Sequence, residues 1–171
     1  MKKFELTSEF VTFLGKKLFR IKALISFGNV KEGELGGYVE KEENLSNDGD
    51  AWVSGNARVS GNAEVFGDAR VSGNARVSGN AEVFGDARVF GDAMVSGNAD
   101  YATVQGFGSE YRATTFFRTK AGDIGVRCGC FYGTLEEFRA KVKETHGETK
   151  TAKEYLMVAD LMEFRFSKEE V

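Results

Sequence analysis

Residues 49–102 read GDAWVS GNARVS GNAEVF GDARVS GNARVS GNAEVF GDARVF GDAMVS GNADYA, nine consecutive hexads without insertion or gap. Each hexad has Gly, Asn or Asp, Ala, a variable residue, an apolar residue, and then Ser, Phe or Ala. A unit this short cannot bury its own apolar face, so it has to stack on copies of itself, as solenoids do. Ala and Val lie two apart and point to one side of a strand. The Gly-Asn/Asp pair supplies a corner, because both types tolerate positive φ. A helix is excluded: apolar residues do not recur at helical spacing, and a Gly every sixth residue disfavours it.

A longer period of eighteen residues lies on the hexads, with the block 67–84 nearly repeating its neighbours. Three strands then make one triangular coil, and residues eighteen apart stack about 4.8 Å apart along the axis. Sorted this way, one face stacks Trp52, Arg70 and Arg88, with Ser54, Ser72 and Phe90 two positions on. The next stacks Arg58, Arg76 and Met94, with Ser60, Ser78 and Ser96. The third stacks Glu64, Glu82 and Asp100, with Phe66, Phe84 and Ala102. All of these point away from the Ala/Val core, which gives two basic walls and one acidic wall carrying a Phe pair. Phe66 and Phe84 are expected to stack in the open, which marks an interface unless the chain's own ends cover them. At the corners Asp50, Asp68 and Asp86 form one ladder, and Asn62, Asn80 and Asn98 another. Stacked Asn amides can bond along the axis. Stacked Asp residues repel unless backbone N–H groups or a cation neutralise them.

Val-x-Gly-Asn/Asp-Ala-x resembles the hexapeptide signature of left-handed parallel β-helices, the trimeric acyltransferase-like superfamily. One departure is Ser or Phe after the apolar residue, where the family usually has a small or acidic one. The resemblance implies left-handed winding, against the usual crossover preference, and a trimer. LGGYVE at 35–40, LSNDGDAWV at 45–53 and CFYGTLEEF at 130–138 extend the likeness to bacterial and phage hexapeptide-repeat proteins, some labelled putative transferases. That likeness implies a phage or prophage setting and a host bacterial cytoplasm. The fold expected is mainly β: a left-handed parallel β-helix of about three to four coils, with an N-terminal β-hairpin cap and a small C-terminal α+β tail.

The divisions expected are 1–35 as the N-terminal cap, 36–108 as the β-helix and 109–171 as a C-terminal ββαα lobe. Residues 2–27 are rich in β-branched and aromatic residues, with Gly15-Lys16 as the hairpin turn. Val39 and Leu45 lie six apart, and Val53 follows eight later, so 36–48 reads as an imperfect coil with a two-residue insertion. The hairpin would cover an open solenoid end that otherwise offers unpaired strand edges. Beyond residue 102 the pattern decays. Two strands are expected around Ala121-Gly122-Asp123. Thr134-Leu135-Glu136-Glu137 is a capping box opening a helix to about His146, stopped by Gly147, and a second helix spans about 151–164. The tail is expected to cap the other end or to form an independent lobe.

Function is less constrained. The formal charge of −3 supplies no basic field for non-specific nucleic-acid binding. No apolar run reaches membrane-spanning length, and no signal-peptide pattern opens the chain. Cys128 and Cys130 suit reduced thiols, and on a strand they would share one face as small core residues. The related acyltransferases generally use a His base, and a zinc site of the carbonic-anhydrase type needs three His ligands. The chain has one His, and it falls at a helix end, where it suits the last-turn carbonyls. Cys128, Cys130 and His146 make a weak metal set. No cofactor or metal is therefore expected, and a non-catalytic, self-associating protein acting by binding leads.

In that reading Phe66, Phe84, Phe90, Glu64 and Glu82 form the oligomer interface. An acidic face of one chain would meet a basic face of the next and close a ring. A host protein is the partner. The alternative is a small anionic, nucleotide-like ligand clamped by Arg58, Arg70, Arg76 and Arg88, with Trp52 or Phe90 as stacking surface. The competing reading pairs the arginines with Glu64, Glu82 and the corner Asp residues, within or between chains. A second alternative is acyl-CoA-dependent acetyl transfer.

Overall fold

A computed structural model describes residues 1–168, so the last three residues of the 109–171 segment lie outside the described residues. The chain opens with strand β1 (Phe4–Phe13), which pairs antiparallel with β2 (Lys16–Ala23). The tight turn is Leu14-Gly15, one residue earlier than expected, and both residues have positive φ, 49° and 78°. Two consecutive left-handed residues match the right-handed twist of the strands they join. β2 then pairs with β3 (Leu35–Val39), and β3 runs parallel to the first repeat strand beside it.

The repeat forms eight two-residue strands: β4 (Trp52–Val53), β5 (Arg58–Val59), β6 (Glu64–Val65), β7 (Arg70–Val71), β8 (Arg76–Val77), β9 (Glu82–Val83), β10 (Arg88–Val89) and β11 (Met94–Val95). They pair in parallel as β4-β7-β10, β5-β8-β11 and β6-β9, each residue beside the one eighteen further on. The result is a β-solenoid of about three turns, with three faces as the eighteen-residue period requires. The ladder continues round the corners: the Asn56 and Arg58 N–H groups donate to the Gly73 and Ala75 carbonyls at 3.0 and 2.9 Å. This satisfies backbone groups that a short strand would leave unpaired. The Ala and Val of these eight hexads are buried.

The imperfect first coil is present. Val39 sits beside Val59 and Leu45 beside Val65, an offset of twenty, whereas Val53 sits beside Val71, an offset of eighteen. The two extra residues therefore lie between Leu45 and Val53.

The ninth hexad departs from expectation. Residues 98–100 form a 3₁₀ turn and Ala99 is exposed, so Asp100 and Ala102 do not extend the acidic face. Polar side chains end the coil. The Asp100 carboxylate accepts the Ser96 N–H and hydroxyl and pairs with Arg118 at 3.0 Å. The Asn98 side-chain oxygen accepts the Glu82 N–H at 2.7 Å, where another coil's carbonyl would otherwise do so. Asn98 thus leaves the Asn ladder, in which the Asn62 amide donates to Asn80 at 3.2 Å.

The chain then turns back through an antiparallel sheet, β12 (Tyr101–Val104), β13 (Thr114–Arg118), β14 (Ile124–Cys128) and β15 (Phe131–Thr134). This is four strands where two were expected. β12 is hidden in the decaying repeat, and β15 follows a turn at Gly129 with φ +56°. That turn places Cys130 outside the strands, so Cys128 and Cys130 do not share a strand face. Helix α1 (Leu135–His146) starts on the Thr134/Glu137 capping box and stops at Gly147, φ +58°. Helix α2 (Lys150–Phe166) packs beside it over a core of Phe116, Val126, Phe138, Tyr155 and Met162.

The C-terminal lobe caps the solenoid. The Thr115 hydroxyl accepts the Arg88 N–H at 2.8 Å, the Lys120 N–H donates to the Asp92 carbonyl at 2.9 Å, and Ala93 bridges Thr119. Phe117, fully buried, joins the Val/Ala core. The open strand edges at this end are thus paired and the core is plugged.

Candidate functional site

The acidic wall carries the expected aromatic column. Phe66 and Phe84 occupy equivalent positions in successive coils, their rings 5.3 Å apart and 11° from parallel. Phe84 is 50% exposed and Phe66, the lower ring, is half-buried. Glu64 and Glu82, two residues earlier, are exposed on the same wall. Below them Glu42, Glu43, Ser46 and Asn47 line an open polar cleft with Glu64 and Phe66. Among the described residues this wall shows one ion pair, Lys2 with Glu42 at 2.6 Å.

The Arg58/Arg76 wall is half covered by the N-terminal hairpin. β1 and β2 are ten and eight residues long and β3 is five, so the hairpin tip overhangs the solenoid. The Phe13 ring lies 5.0 Å from the Arg58 guanidinium and 4.7 Å from that of Arg76, a cation–π stack on both. Neither arginine has a carboxylate partner among the described residues. The overhang encloses a groove of 340 Å³ whose lining includes Phe13, Leu14, Lys16, Arg58, Arg76 and Met94. Leu14 is 85% and Met94 39% exposed. A second cleft of 280 Å³ on the other side of the arginines is polar, with Asn56, Asn74, Asp92 and Lys120. The sequence analysis missed Phe13 and Leu14. The signal was the Gly15 turn, which makes them the tip of a hairpin.

On the Arg70/Arg88 wall the four expected site residues, Trp52, Phe90, Arg70 and Arg88, are engaged by their own chain. Trp52 is 2% exposed. It points outward, but the loop after β2 lies over it, with Phe27 edge-on at 5.4 Å. Phe90 is packed edge-on against Tyr132 of the C-terminal lobe at 4.9 Å, with the Arg127 guanidinium over its ring. These contacts leave Phe90 half-buried against its own lobe. Arg88 donates to the Asp68 and Asp86 carbonyls at 2.9 and 3.2 Å. Arg70 lies under the Gly28 loop, and burial, then the neighbouring Arg88, lowers its pKa. The N-terminal cap thus buries Trp52 and lies over Arg70, the C-terminal lobe takes up Phe90, and Arg88 is held to backbone carbonyls of its own corner.

At the Asp50/Asp68/Asp86 corner, the first two carboxylates are offset from within. The Asp68 carboxylate accepts the Asp50 N–H at 3.1 Å. The Lys3 ammonium, buried above this corner, donates to the Ala51 carbonyl at 2.9 Å and to that of Gly49 at 3.2 Å. Burial lowers the Lys3 pKa to about 8, against the opposing pull of Asp50, Asp48 and Asp68. Among the described residues no group of three or more His, Cys, Asp or Glu side chains could hold a metal ion.

His146, Cys128 and Cys130 line one pocket of the C-terminal lobe with Tyr155 and Arg112. The His146 ring stands 5.8 Å from that of Tyr155. The Cys128 Sγ accepts the Thr114 hydroxyl at 3.2 Å and lies 4.0 Å from the Tyr155 oxygen. Burial, then Cys128, pushes the Tyr155 pKa up to about 12. No described helix is long and apolar enough to cross a membrane.

A family model described as "YdcK Beta solenoid repeat" matches residues 51–67 and 69–85. The chain carries a β-solenoid repeat. These two matched stretches contain the Phe66/Phe84 column of the acidic wall and Arg58 and Arg76. A comparison with curated protein sequences finds no match.

Proposed function

We propose that this β-solenoid protein is a non-catalytic, self-associating binding module, with a trimer as the favoured assembly. The observation that carries the reading is the Phe66/Phe84 stack on the acidic wall, with Phe84 exposed and Phe66 half-buried. Two phenyl rings in contact with water favour burial against a partner, and each aromatic side chain brings on the order of 150–250 Å² of contact area. The repeat itself does not require them, because Ser fills the same position in five of the other seven hexads. Phe66→Asp with Phe84→Asp should convert the oligomer to monomer in light scattering. An unchanged mass would reject the interface.

A phage or prophage setting, a host-protein partner, a cytoplasmic location and a left-handed, acyltransferase-like winding belong to this proposal; the unbroken hexads and the flanking motifs support them. The non-catalytic reading is supported by His146, which is lodged beside Tyr155 at the end of α1, in the lobe and outside the solenoid grooves. A second reading, sequestration of a small anionic ligand, is favoured by Arg58 and Arg76, whose guanidinium groups face open clefts without carboxylate partners among the described residues. Nucleotide-induced thermal stabilisation, lost in Arg58→Ala/Arg76→Ala, would support it. A broad nucleotide panel without any shift would remove it.

A further inference from the structure

The molecule presents two unsatisfied surfaces of opposite character. One is the Phe66/Phe84 column flanked by Glu64 and Glu82. The other is the apolar groove under the hairpin tip, flanked by Arg58 and Arg76. We infer that they are the two halves of one contact: the column of one protomer seats in the Phe13/Leu14/Met94 groove of the next. This rests on the self-association proposed above and assigns it a receptor surface.

Three features carry the pairing. The first is chemistry: each surface is apolar at its centre with paired charges beside it, acidic on the column side and basic on the groove side. The second is spacing. Glu64 and Glu82 are neighbours in β6-β9, and Arg58 and Arg76 are neighbours in β5-β8, so both pairs repeat at the same inter-strand distance, about 4.8 Å. The third is level. Arg58 and Glu64 are consecutive strands of one coil, and Arg76 and Glu82 are consecutive strands of the next. Protomers with parallel axes therefore meet Glu64 to Arg58 and Glu82 to Arg76 without sliding along the axis. A heterologous contact free of axial translation closes a ring, whereas a translated one grows a filament. The hairpin tip of one subunit would then lie over the aromatic column of its neighbour. On the other basic wall Arg70 lies under the Gly28 loop and the Arg88 guanidinium is already hydrogen-bonded to backbone carbonyls of its own chain, so the groove is the better-suited basic surface to receive the column.

The test uses two full-length variants and their mixture. The column variant is Phe66→Asp/Phe84→Asp. The groove variant is Leu14→Asp/Met94→Glu, at exposed positions where neither change disturbs the core; Asp also tolerates the left-handed backbone of Leu14. Light scattering is expected to give an oligomer for wild type and a monomer for each variant alone. Mixed one to one, the variants should form a dimer, because the mixture holds one intact column and one intact groove. That restored assembly also shows that both variants are folded. A groove variant that assembles like wild type would overturn the inference and leave self-association standing, with the Phe columns facing each other instead. Two monomeric variants that stay monomeric in the mixture would also overturn it. A monomeric wild type would remove the underlying reading as well.

Discussion

The corner glycines give the sharpest test of the stacked-coil architecture. Gly73 and Gly85 have nearly the same backbone, φ +69° and +63°. An Ala at either costs the left-handed strain of an L-residue, about 1–2 kcal/mol, offset by about 0.4–1 kcal/mol from a less flexible unfolded chain. They differ in what lies above them. A Cβ on Gly73 would stand 2.8 Å from the Gly91 nitrogen of the next coil, while one on Gly85 would meet nothing within 4 Å. The Gly73 contact is with backbone held in the ladder, so the coils must separate locally, at a cost typical of overpacking, about 1–3 kcal/mol. Gly85→Ala should therefore lose about 1 kcal/mol or less, and Gly73→Ala about 2–4 kcal/mol. Urea unfolding in the Phe66→Asp/Phe84→Asp background keeps any assembly out of the comparison. Equal losses at the two positions would refute the reasoning, because backbone strain alone would then account for both.

Three further outcomes follow from the caps and the buried lysine. Burial holds the folded-state pKa of Lys3 near 8, below its ordinary 10.5. Between these values the unfolded chain binds the extra proton, so wild-type stability should rise with pH from 8 to 10.5. Lys3→Met should lose that slope in urea titrations across the window; a slope kept in the variant would assign it to other groups. Phe117→Ala removes the plug from the C-terminal end of the core and should cost about 3–5 kcal/mol by the same measurement, and a loss under 1 kcal/mol would mean the lobe does not seal the solenoid. Thr134→Ala deletes the side chain that accepts the Glu137 N–H and should cost about 1 kcal/mol, with more rapid amide exchange in the first turn of α1. Unchanged exchange there would count against the capping box as that helix's anchor.

The solenoid was legible because its pattern is local and redundant. Ala57 and Val59 need nothing beyond the hexad to show which way they point, and the shift between Leu45 and Val53 could be counted. The Thr134 box and Gly147 were readable for the same reason, being signals within a few residues of the helix ends they set. What escaped were relations between distant segments. Nothing near Trp52 shows that Phe27 lies over it, and nothing near Phe90 shows that Tyr132 does. A repeat pattern gives outward direction, and outward is not the same as exposed once both ends of the chain fold back. The ninth hexad misled because GNADYA keeps the Gly-Asn-Ala spelling while its Asp100 is captured by Arg118, eighteen residues on. On the site, Phe66, Phe84, Glu64 and Glu82 stand where the period placed them, and Arg58 and Arg76 stand on their expected wall, partly covered by Phe13 of the hairpin. The groove beside those arginines depends on the overhang of β1 and β2, which is a matter of relative strand length and invisible to the hexad register.

The most direct measurement is the mass of the wild-type protein by sedimentation equilibrium over a range of micromolar concentrations. The account predicts a closed species of three protomers that gains no further mass as concentration rises. A single protomer throughout would contradict it, since the Phe66/Phe84 column would then be an exposed aromatic stack with no partner of its own kind.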